Sequence, residues 1–239
     1  MHLFAVKITR TILFFSHLKH FKKRIVCCAG ILFFIAAVAV PVFTAGNFSL
    51  DEKTLAQAEK EYGPDARKRL EAWVRLIRDD QSKTDREKLD KVNDFFNQLE
   101  FVDDIYHWKQ NDYWATPIEL LSTDGGDCED FSIGKYFTLK VMGVPESKLN
   151  MTYVKAVRLN QAHMIVTYYE KPGAEPLILD NLNKKIKPAS QRKDLVPIYS
   201  FNGTSLWIAK QRGKGKLVGS SDRLGQWKDL LKRMPKGLI

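Results

Sequence analysis

The sequence predicts an α+β fold, in which helices come first and an antiparallel sheet follows. Before Gly143, apolar residues recur every three or four positions, which is the spacing of amphipathic helices. After Gly143, apolar and polar residues alternate with a period of two, which is typical of strands. Helices and strands that are segregated along the chain favour an α+β domain over a parallel α/β fold. At 239 residues and 44% hydrophobic, the chain is long enough for one substantial core.

Three helices are predicted before residue 101. Residues 51–81 are rich in Ala, Glu, Lys, Arg and Leu, and Gly63-Pro64 divides them into two helices. Thr84 and Glu87 have the spacing of a capping box, which predicts that a third helix begins there. The expected apolar face of the second helix is Leu70, Trp73, Val74 and Ile77, and that of the third is Leu89, Val92, Phe95, Phe96 and Leu99.

The middle of the chain leads from loops into a further helix and then into strands. Residues 101–126 are typical of a loop-rich stretch, with a short helix that begins at Thr116-Pro117. Residues 128–142 form the next predicted helix, which follows two glycines and an aspartate and stops at Gly143. Strands are predicted over residues 151–159, 162–169, 177–181 and 205–210.

The first 45 residues predict a targeting segment. They contain six basic residues and no acidic ones, and residues 25–43 are almost wholly apolar. A basic flank followed by an apolar run is typical of a secretory signal, and this run is nearly long enough to span a bilayer. Pro41, together with Phe43 at a position where a small residue favours cleavage, leaves an uncleaved membrane anchor open. In either case we expect the rest of the chain to be exported.

Charge divides the remainder into two parts. Residues 184–239 hold 14 basic and 3 acidic side chains, whereas residues 46–183 are acidic overall. This uneven distribution argues against a nucleic-acid-binding protein, and we expect membrane contact only through the N-terminal segment. The predicted organisation is a leader over 1–45, a domain over 46–210 and a basic tail over 211–239. In that tail a short amphipathic helix is possible, with the apolar residues Leu224, Trp227, Leu230 and Leu231.

Few residues of the exported part can act as nucleophile or base. Cys27 and Cys28 lie in the apolar segment, so Cys128 is the one cysteine that remains and no internal disulfide can form. Three of the five histidines are in the leader, which leaves His107 and His163. We expect His107 to pack locally against the tryptophan that follows it.

Cys128, His163 and Asp180 form the candidate catalytic set. Cys128 is predicted at a helix N-terminus, where free amides and the helix dipole lower the pKa of a thiol. His163 lies in a predicted strand, and Asp180 ends the next one, so neighbouring strands can bring them together. Their roles would be nucleophile, base and orienting carboxylate. Taken singly, each residue also has a purely structural interpretation. Cys128 can be a buried thiol, His163 a strand histidine with satisfied hydrogen bonds, and Asp180 a turn-forming aspartate.

Several blocks of the sequence resemble the bacterial transglutaminase-like cysteine proteinases. The resemblance covers roughly residues 85–210, in order and with similar spacing. The matching blocks are 112–119 (DYWATPIE), 125–131 (GGDCEDF), 135–137 (KYF), 143–144 (GV), 162–166 (AHMIV) and 179–182 (LDNL).

The resemblance implies a papain-like fold of the transglutaminase type, with Cys128 as nucleophile, His163 as base and Asp180 as third member. It also implies a substrate and a regulator. The substrate is the N-terminal region of a large, repeat-rich surface adhesin, cut at a di-alanine site, so that cleavage controls biofilm attachment. The regulator is an inhibitory inner-membrane receptor that responds to cyclic di-GMP. Composition and spacing show neither partner.

Calcium is a further implication of the resemblance, which assigns Ca²⁺ to carboxylates around the nucleophile. Asp127, Glu129 and Asp130 are the candidate ligands, and Asp112 is an additional one. Such closely spaced carboxylates repel one another unless a hard cation binds them. The alternative is that Asp127 and Glu129 only favour the helix N-terminus.

The backbone N–H of Cys128 is one natural donor to an oxyanion. The indole N–H of Trp114 is a candidate second donor, and the alternative is that Trp114 lies in the core or the cleft wall.

Two other function classes stay open. The same scaffold supports acyl transfer to an amine, because a nucleophile other than water can intercept the acyl-enzyme. A non-catalytic binding module can also keep the fold. A binding module has no need of all three candidate catalytic residues, which favours an enzyme. The leading hypothesis from sequence is a calcium-dependent periplasmic cysteine endopeptidase.

Overall fold

The computed structural model describes residues 48–208, 215–235 and 237–239. The predicted leader, with Cys27 and Cys28, lies outside these residues. Among the residues that the structure describes, no helix has the length and apolar character that crossing a membrane requires.

Seven α-helices occur in the described part of the chain. The first two are separated at Gly63, whose φ of +87° is a conformation that favours glycine. The capping box predicted for the third helix is present, because the side chains and backbone amides of Thr84 and Glu87 bond reciprocally. The helices are α1 (Glu52–Tyr62), α2 (Pro64–Asp79), α3 (Asp85–Phe96), α4 (Asp104–His107), α5 (Pro117–Thr123), α6 (Cys128–Val141) and α7 (Gly225–Arg233).

Two sheets accompany the helices. The larger one is antiparallel throughout, with the strand order β6-β5-β4-β3-β7-β8-β9. The smaller one is a parallel pair, β1 with β2. The strands are β1 (Glu100–Phe101), β2 (Gly125–Gly126), β3 (Leu149–Ala156), β4 (Gln161–Tyr168), β5 (Leu177–Leu179), β6 (Lys187–Pro188), β7 (Leu195–Phe201), β8 (Leu206–Ile208) and β9 (Lys216–Gly219).

The α+β prediction is therefore confirmed, with differences at the strands. The four predicted strands correspond to β3, β4, β5 and β8, with ends shifted by up to three residues; residues 209 and 210 lie outside the described part. Strand β7 was not predicted, because Pro197 in its middle argues against a strand. The proline is tolerated where the pairing of β3 with β7 shifts register, between Tyr153 and Val154.

Helix α6 is the central helix and packs on the inner face of β3 and β4. Ten of its residues are buried, from Asp130 to Leu139. The inner faces of these strands contribute Met151, Met164 and Val166 to the same core. Behind α6 lies α3, and the ring of Phe96 comes so close to Gly134 that a side chain there would clash with it. This packing fixes the start of α6 against the sheet.

The basic C-terminal segment is packed against the body where it is described. The predicted amphipathic helix is present as α7, and both Trp227 and Leu230 are fully buried in the main core. The Trp227 ring stacks on Phe137 of α6, with ring centroids 5.5 Å apart. The apolar face of these residues, within the predicted tail, is therefore covered by Phe137 of α6 and Phe201 of β7.

The parallel pair β1–β2 closes a loop. The amide of Val102 donates to the carbonyl of Gly126 at 2.9 Å, and that of Glu100 donates to Asp124 at 3.0 Å. The two ends of the segment that connects β1 to β2 are thereby held side by side. Helix α6 begins two residues after β2, so this closed loop lies beside the helix start.

Candidate active site

Cys128 is the first residue of α6, as the sequence predicts. Its thiol donates a hydrogen bond to Oε2 of Glu129 at 2.9 Å. The backbone amide of Met164, on β4, also faces the sulfur. The thiol therefore lies between the start of the central helix and the strand that carries His163.

The acidic surroundings of Cys128 oppose the effect expected from the helix N-terminus. Burial raises the pKa of the thiol well above its usual value, and the charges of Glu129 and Asp127 raise it further. The hydrogen bond from the amide of Met164 lowers the pKa of the thiol, but by less than burial and the two carboxylates raise it. The lowered thiol pKa expected from the helix N-terminus is therefore not found here, because burial and the nearby Glu129 and Asp127 raise it.

His163 and Asp180 form a buried pair on neighbouring strands. Nε2 of His163 lies 2.8 Å from Oδ1 of Asp180, and both residues are about 2% exposed. The pairing of β4 with β5 ends at Val166 and Leu179, so Asp180 leaves the ladder and turns toward the histidine. Because Nε2 is engaged by Asp180, Nδ1 is the ring nitrogen left to exchange a proton.

Further donors hold the carboxylate of Asp180. Oδ1 also accepts from the amide of Leu182 at 3.0 Å, and Oδ2 accepts from Nη2 of Arg192 at 2.6 Å. Burial alone would raise the pKa of Asp180, but the hydrogen bonds and charges of His163 and Arg192 lower it to about 2. Asp180 is thus an anion at any physiological pH.

Acidic side chains surround the nucleophile in three overlapping groups. Asp127 and Glu129 lie with Cys128 in one group, Asp104 lies with Asp127 and Asp130 in a second, and Asp104 lies with Asp112 and Glu129 in a third. In each group the potential ligand atoms are within 4.8 Å of one another. The structure therefore brings together all four predicted ligand residues and adds Asp104.

The chemistry of this acidic cluster fits a hard divalent cation. Within the described part of the chain, Oδ1 of Asp127 and Oδ1 of Asp104 are buried and accept no hydrogen bond. Burial and the neighbouring charge of Glu129 raise the pKa of Asp127 to about 9, and burial raises that of Glu129 to about 7. Oxygen ligands and uncompensated negative charge are what Ca²⁺ selects.

Asp130 has an evident structural role in the cluster. It is fully buried, and its Oδ1 accepts from the amide of Ala115 at 2.7 Å while Oδ2 accepts from the amide of Asp127 at 3.3 Å. Both oxygens therefore tie the loop before α5 to the start of α6.

Trp114 stands in the wall of the site. Its indole N–H, predicted as a candidate oxyanion donor, donates to Oδ1 of Asp112 at 2.9 Å, and its ring stacks on Phe201 at 5.9 Å. With 7% of its surface exposed, Trp114 belongs to the main hydrophobic core, and its role as an oxyanion donor stays a prediction.

Helix α7 contacts this wall from outside. Nε2 of Gln226 donates to Oδ2 of Asp112 at 2.7 Å. Arg233 donates to the main-chain oxygen of Trp114 at 2.5 Å and to Oε2 of Glu119 at 2.6 Å. The basic C-terminal segment therefore helps to hold the residues beside the acidic cluster.

Sequence reasoning missed Asp104 and Arg192. Asp104 opens a four-residue helix inside a loop-rich stretch, and nothing in its spacing marks it as part of the cluster. Arg192 lies 12 residues after Asp180, in a region where no element was predicted. The expected packing of His107 on Trp108 is present, with ring centroids 4.6 Å apart, and Nε2 of His107 bonds the hydroxyl of Thr123.

The comparisons with known proteins agree on one family. The family model of the bacterial transglutaminase-like cysteine proteinases matches residues 68–211. A solved structure of Legionella pneumophila LapG is 47% identical, with a TM-score of 0.66 over 76% of this chain and 96% of that one. An EGTA-treated form of the same protein is 47% identical, with a TM-score of 0.67 over the same shares of the two chains. A calcium-bound form is 45% identical, with a TM-score of 0.65 over 77% of this chain and 99% of that one. A search of curated proteins gave no match.

Proposed function

Because this chain belongs to the bacterial transglutaminase-like cysteine proteinases, we propose that it is a calcium-dependent cysteine endopeptidase of the periplasm. The observation that carries the mechanism is the buried His163–Asp180 pair beside the helix start that bears Cys128. This arrangement supplies a nucleophile, a base and an orienting carboxylate.

The residues act in the following order. Sγ of Cys128 attacks a peptide carbonyl as the thiolate, its proton having passed to Nδ1 of His163. Asp180, ionised and hydrogen-bonded to Nε2, stabilises the imidazolium that results. His163 then returns the proton to the departing amine, and a thioester forms on Cys128. Water, deprotonated by His163, hydrolyses the thioester and regenerates the thiol.

Calcium would be held by Asp104, Asp127 and Glu129, with Asp112 nearby. Bound there, the ion supplies positive charge that compensates the buried carboxylates. The residues themselves support this assignment through their unbonded oxygens and raised pKa values. The calcium-bound form of the similar LapG is a further support.

The proposed substrate is the N-terminal region of a large surface adhesin, cut at a di-alanine site. We also propose that an inner-membrane receptor responsive to cyclic di-GMP restrains the enzyme. Both proposals follow from the resemblance to this family and to LapG. The exported location rests on the apolar segment over residues 25–43.

A gel assay tests the proposal. The protein is mixed with the N-terminal region of an adhesin from the same genome, with calcium or with a chelator. We expect two fragments from the wild type in calcium, and none from Cys128→Ala or His163→Gln. His107→Gln is the matched control, because this histidine packs on Trp108 and bonds the hydroxyl of Thr123 rather than Asp180.

For calcium, Asp127→Asn is compared with Asp124→Asn, a half-exposed aspartate three residues earlier that pairs with Arg69. We expect calcium affinity measured by calorimetry, and cleavage, to fall together only in Asp127→Asn. Cleavage that survives in a chelator removes the calcium requirement. Cleavage by Cys128→Ala contradicts the mechanism, and a cross-linked product in place of two fragments identifies an acyl transferase.

A further inference from the structure

Arg192 is a buried guanidinium that is shared between two carboxylates. It is 3% exposed, and its Nη2 lies 2.6 Å from Oδ2 of Asp180. The same nitrogen donates to Oδ2 of Asp194 at 2.9 Å, and Nε donates to Oδ1 of Asp194 at 3.0 Å. Asp194 is partly exposed and lies just before β7, so it holds the guanidinium from the side that faces solvent.

The charges around Asp180 explain why a second carboxylate is needed. Arg192 paired with Asp180 alone would cancel the negative charge that His163 requires as an imidazolium. With Asp194 included, the two carboxylates and the guanidinium carry a net charge of −1, which a protonated His163 balances. Arg192 can therefore fix the position of Asp180 without removing its charge.

The remaining groups that face Asp180 come from α3, α6 and the loop after β5. Asn97 donates from Nδ2 to the main-chain oxygen of Asp180 at 3.0 Å. Lys135 donates to Oδ1 of Asn97 at 2.8 Å, and Lys184 donates to the main-chain oxygen of Asn97 at 2.7 Å. These contacts hold the backbone of Asp180, whereas Arg192 reaches its carboxylate. Orientation of the carboxylate is therefore left to Arg192, His163 and the amide of Leu182.

We propose that Arg192 is the positioning residue of the catalytic set and that Asp194 balances its charge, so that Oδ1 of Asp180 stays directed at His163. This inference rests on the proposed cysteine-protease function. Neither residue touches the substrate or the thiol. Their effect passes through Asp180 to the imidazole, and it should appear in kcat and in the titration of His163 rather than in KM.

The test uses Arg192→Met, which keeps the volume of the side chain and removes the charge, and Arg192→Lys, which restores it. Exposed Arg158, at the turn after β3, provides the matched control Arg158→Met. We expect Arg192→Met to lower kcat about 10- to 100-fold with KM nearly unchanged, because small misplacements of a catalytic group cost that much. Arg192→Lys should recover part of the loss, and Arg158→Met should match the wild type.

A double-variant comparison separates positioning from mere stability. In an Asp180→Asn background, Arg192→Met should cost no further kcat, since there is no carboxylate left to position. If the two losses multiply, or if kcat of folded Arg192→Met equals that of the wild type, the proposal is wrong.

A measurement without turnover distinguishes failure of this inference from failure of the proposed function. In Cys128→Ala protein, the imidazole of His163 is titrated by NMR, with His163→Gln to assign the signal. Asp194→Asn should lower the pKa of His163, because Arg192 then cancels the charge of Asp180. An unchanged titration overturns the role of Asp194. This readout remains valid even if the wild type cleaves no adhesin.

Discussion

Replacement of Trp227 by alanine tests whether α7 is an integral part of the fold. The side chain is fully buried, and its ring contacts Phe137 at 5.5 Å, Phe201 at 5.4 Å and Tyr136 at 6.2 Å between centroids. Its indole N–H has no hydrogen-bond partner among the described residues, so the expected loss is one of packing. Removing a buried tryptophan from such a site costs about 3–5 kcal/mol of unfolding free energy.

The assay is thermal and denaturant unfolding followed by circular dichroism. For a domain of this size about 1 kcal/mol corresponds to a Tm change of 2–4 °C, so we expect Trp227→Ala to lower Tm by about 6–20 °C. Trp227→Phe is the control, and it should lose less because most of the apolar contact is kept. A Tm within about 2 °C of the wild type would refute the packing of α7 against α6 and β7.

Three further outcomes are expected. Gly134→Ala should destabilise the protein by about 1–3 kcal/mol in urea unfolding, despite the better helix propensity of alanine, because its methyl group meets the ring of Phe96. Thr84→Ala should cost about 1 kcal/mol by the same measurement, since the capping box of α3 is lost. In a chelator, the free energy of unfolding should fall as pH rises from about 5 to 9. Burial raises the pKa of Glu129 to about 7 and that of Asp127 to about 9 in the folded protein. A carboxyl group whose pKa is raised by folding holds its proton more tightly in the folded state, so its contribution to stability is lost as pH rises through that pKa. Calcium should flatten this slope, and an equal slope with and without calcium would contradict the cation site.

The helices could be predicted from sequence because their signals are local. The capping box at Thr84 and the Gly63-Pro64 break depend on residues a few positions apart, and both are present in the structure. Strand β7 could not be predicted in this way, since Pro197 is tolerated only because of a register shift against β3. That tolerance is a property of the pair of strands and not of either sequence alone.

Some residues of the candidate site could likewise be predicted from sequence, whereas others could not. Cys128 and His163 stand out because residues 46–239 contain one cysteine and two histidines. Asp104 and Arg192 do not stand out among 28 acidic and 38 basic residues, and only the fold shows which of them reach the site. The direction of the thiol pKa was also missed, because it depends on how deeply the thiol is buried and on the nearby charges of Glu129 and Asp127.

The parallel pair β1–β2 has a consequence for how this enzyme can diversify. Its backbone hydrogen bonds tie together the two ends of the segment between Val102 and Asp124. Lengthening a closed loop is inexpensive, since doubling its length costs only about 0.6 kcal/mol of closure entropy. Residues 109–111 are exposed at its far side, so insertions there leave the start of α6 in place. Related enzymes can therefore change the surface beside the nucleophile by altering the length of this segment, provided that Asp104 and Asp112, which flank residues 109–111, keep their places in the acidic cluster.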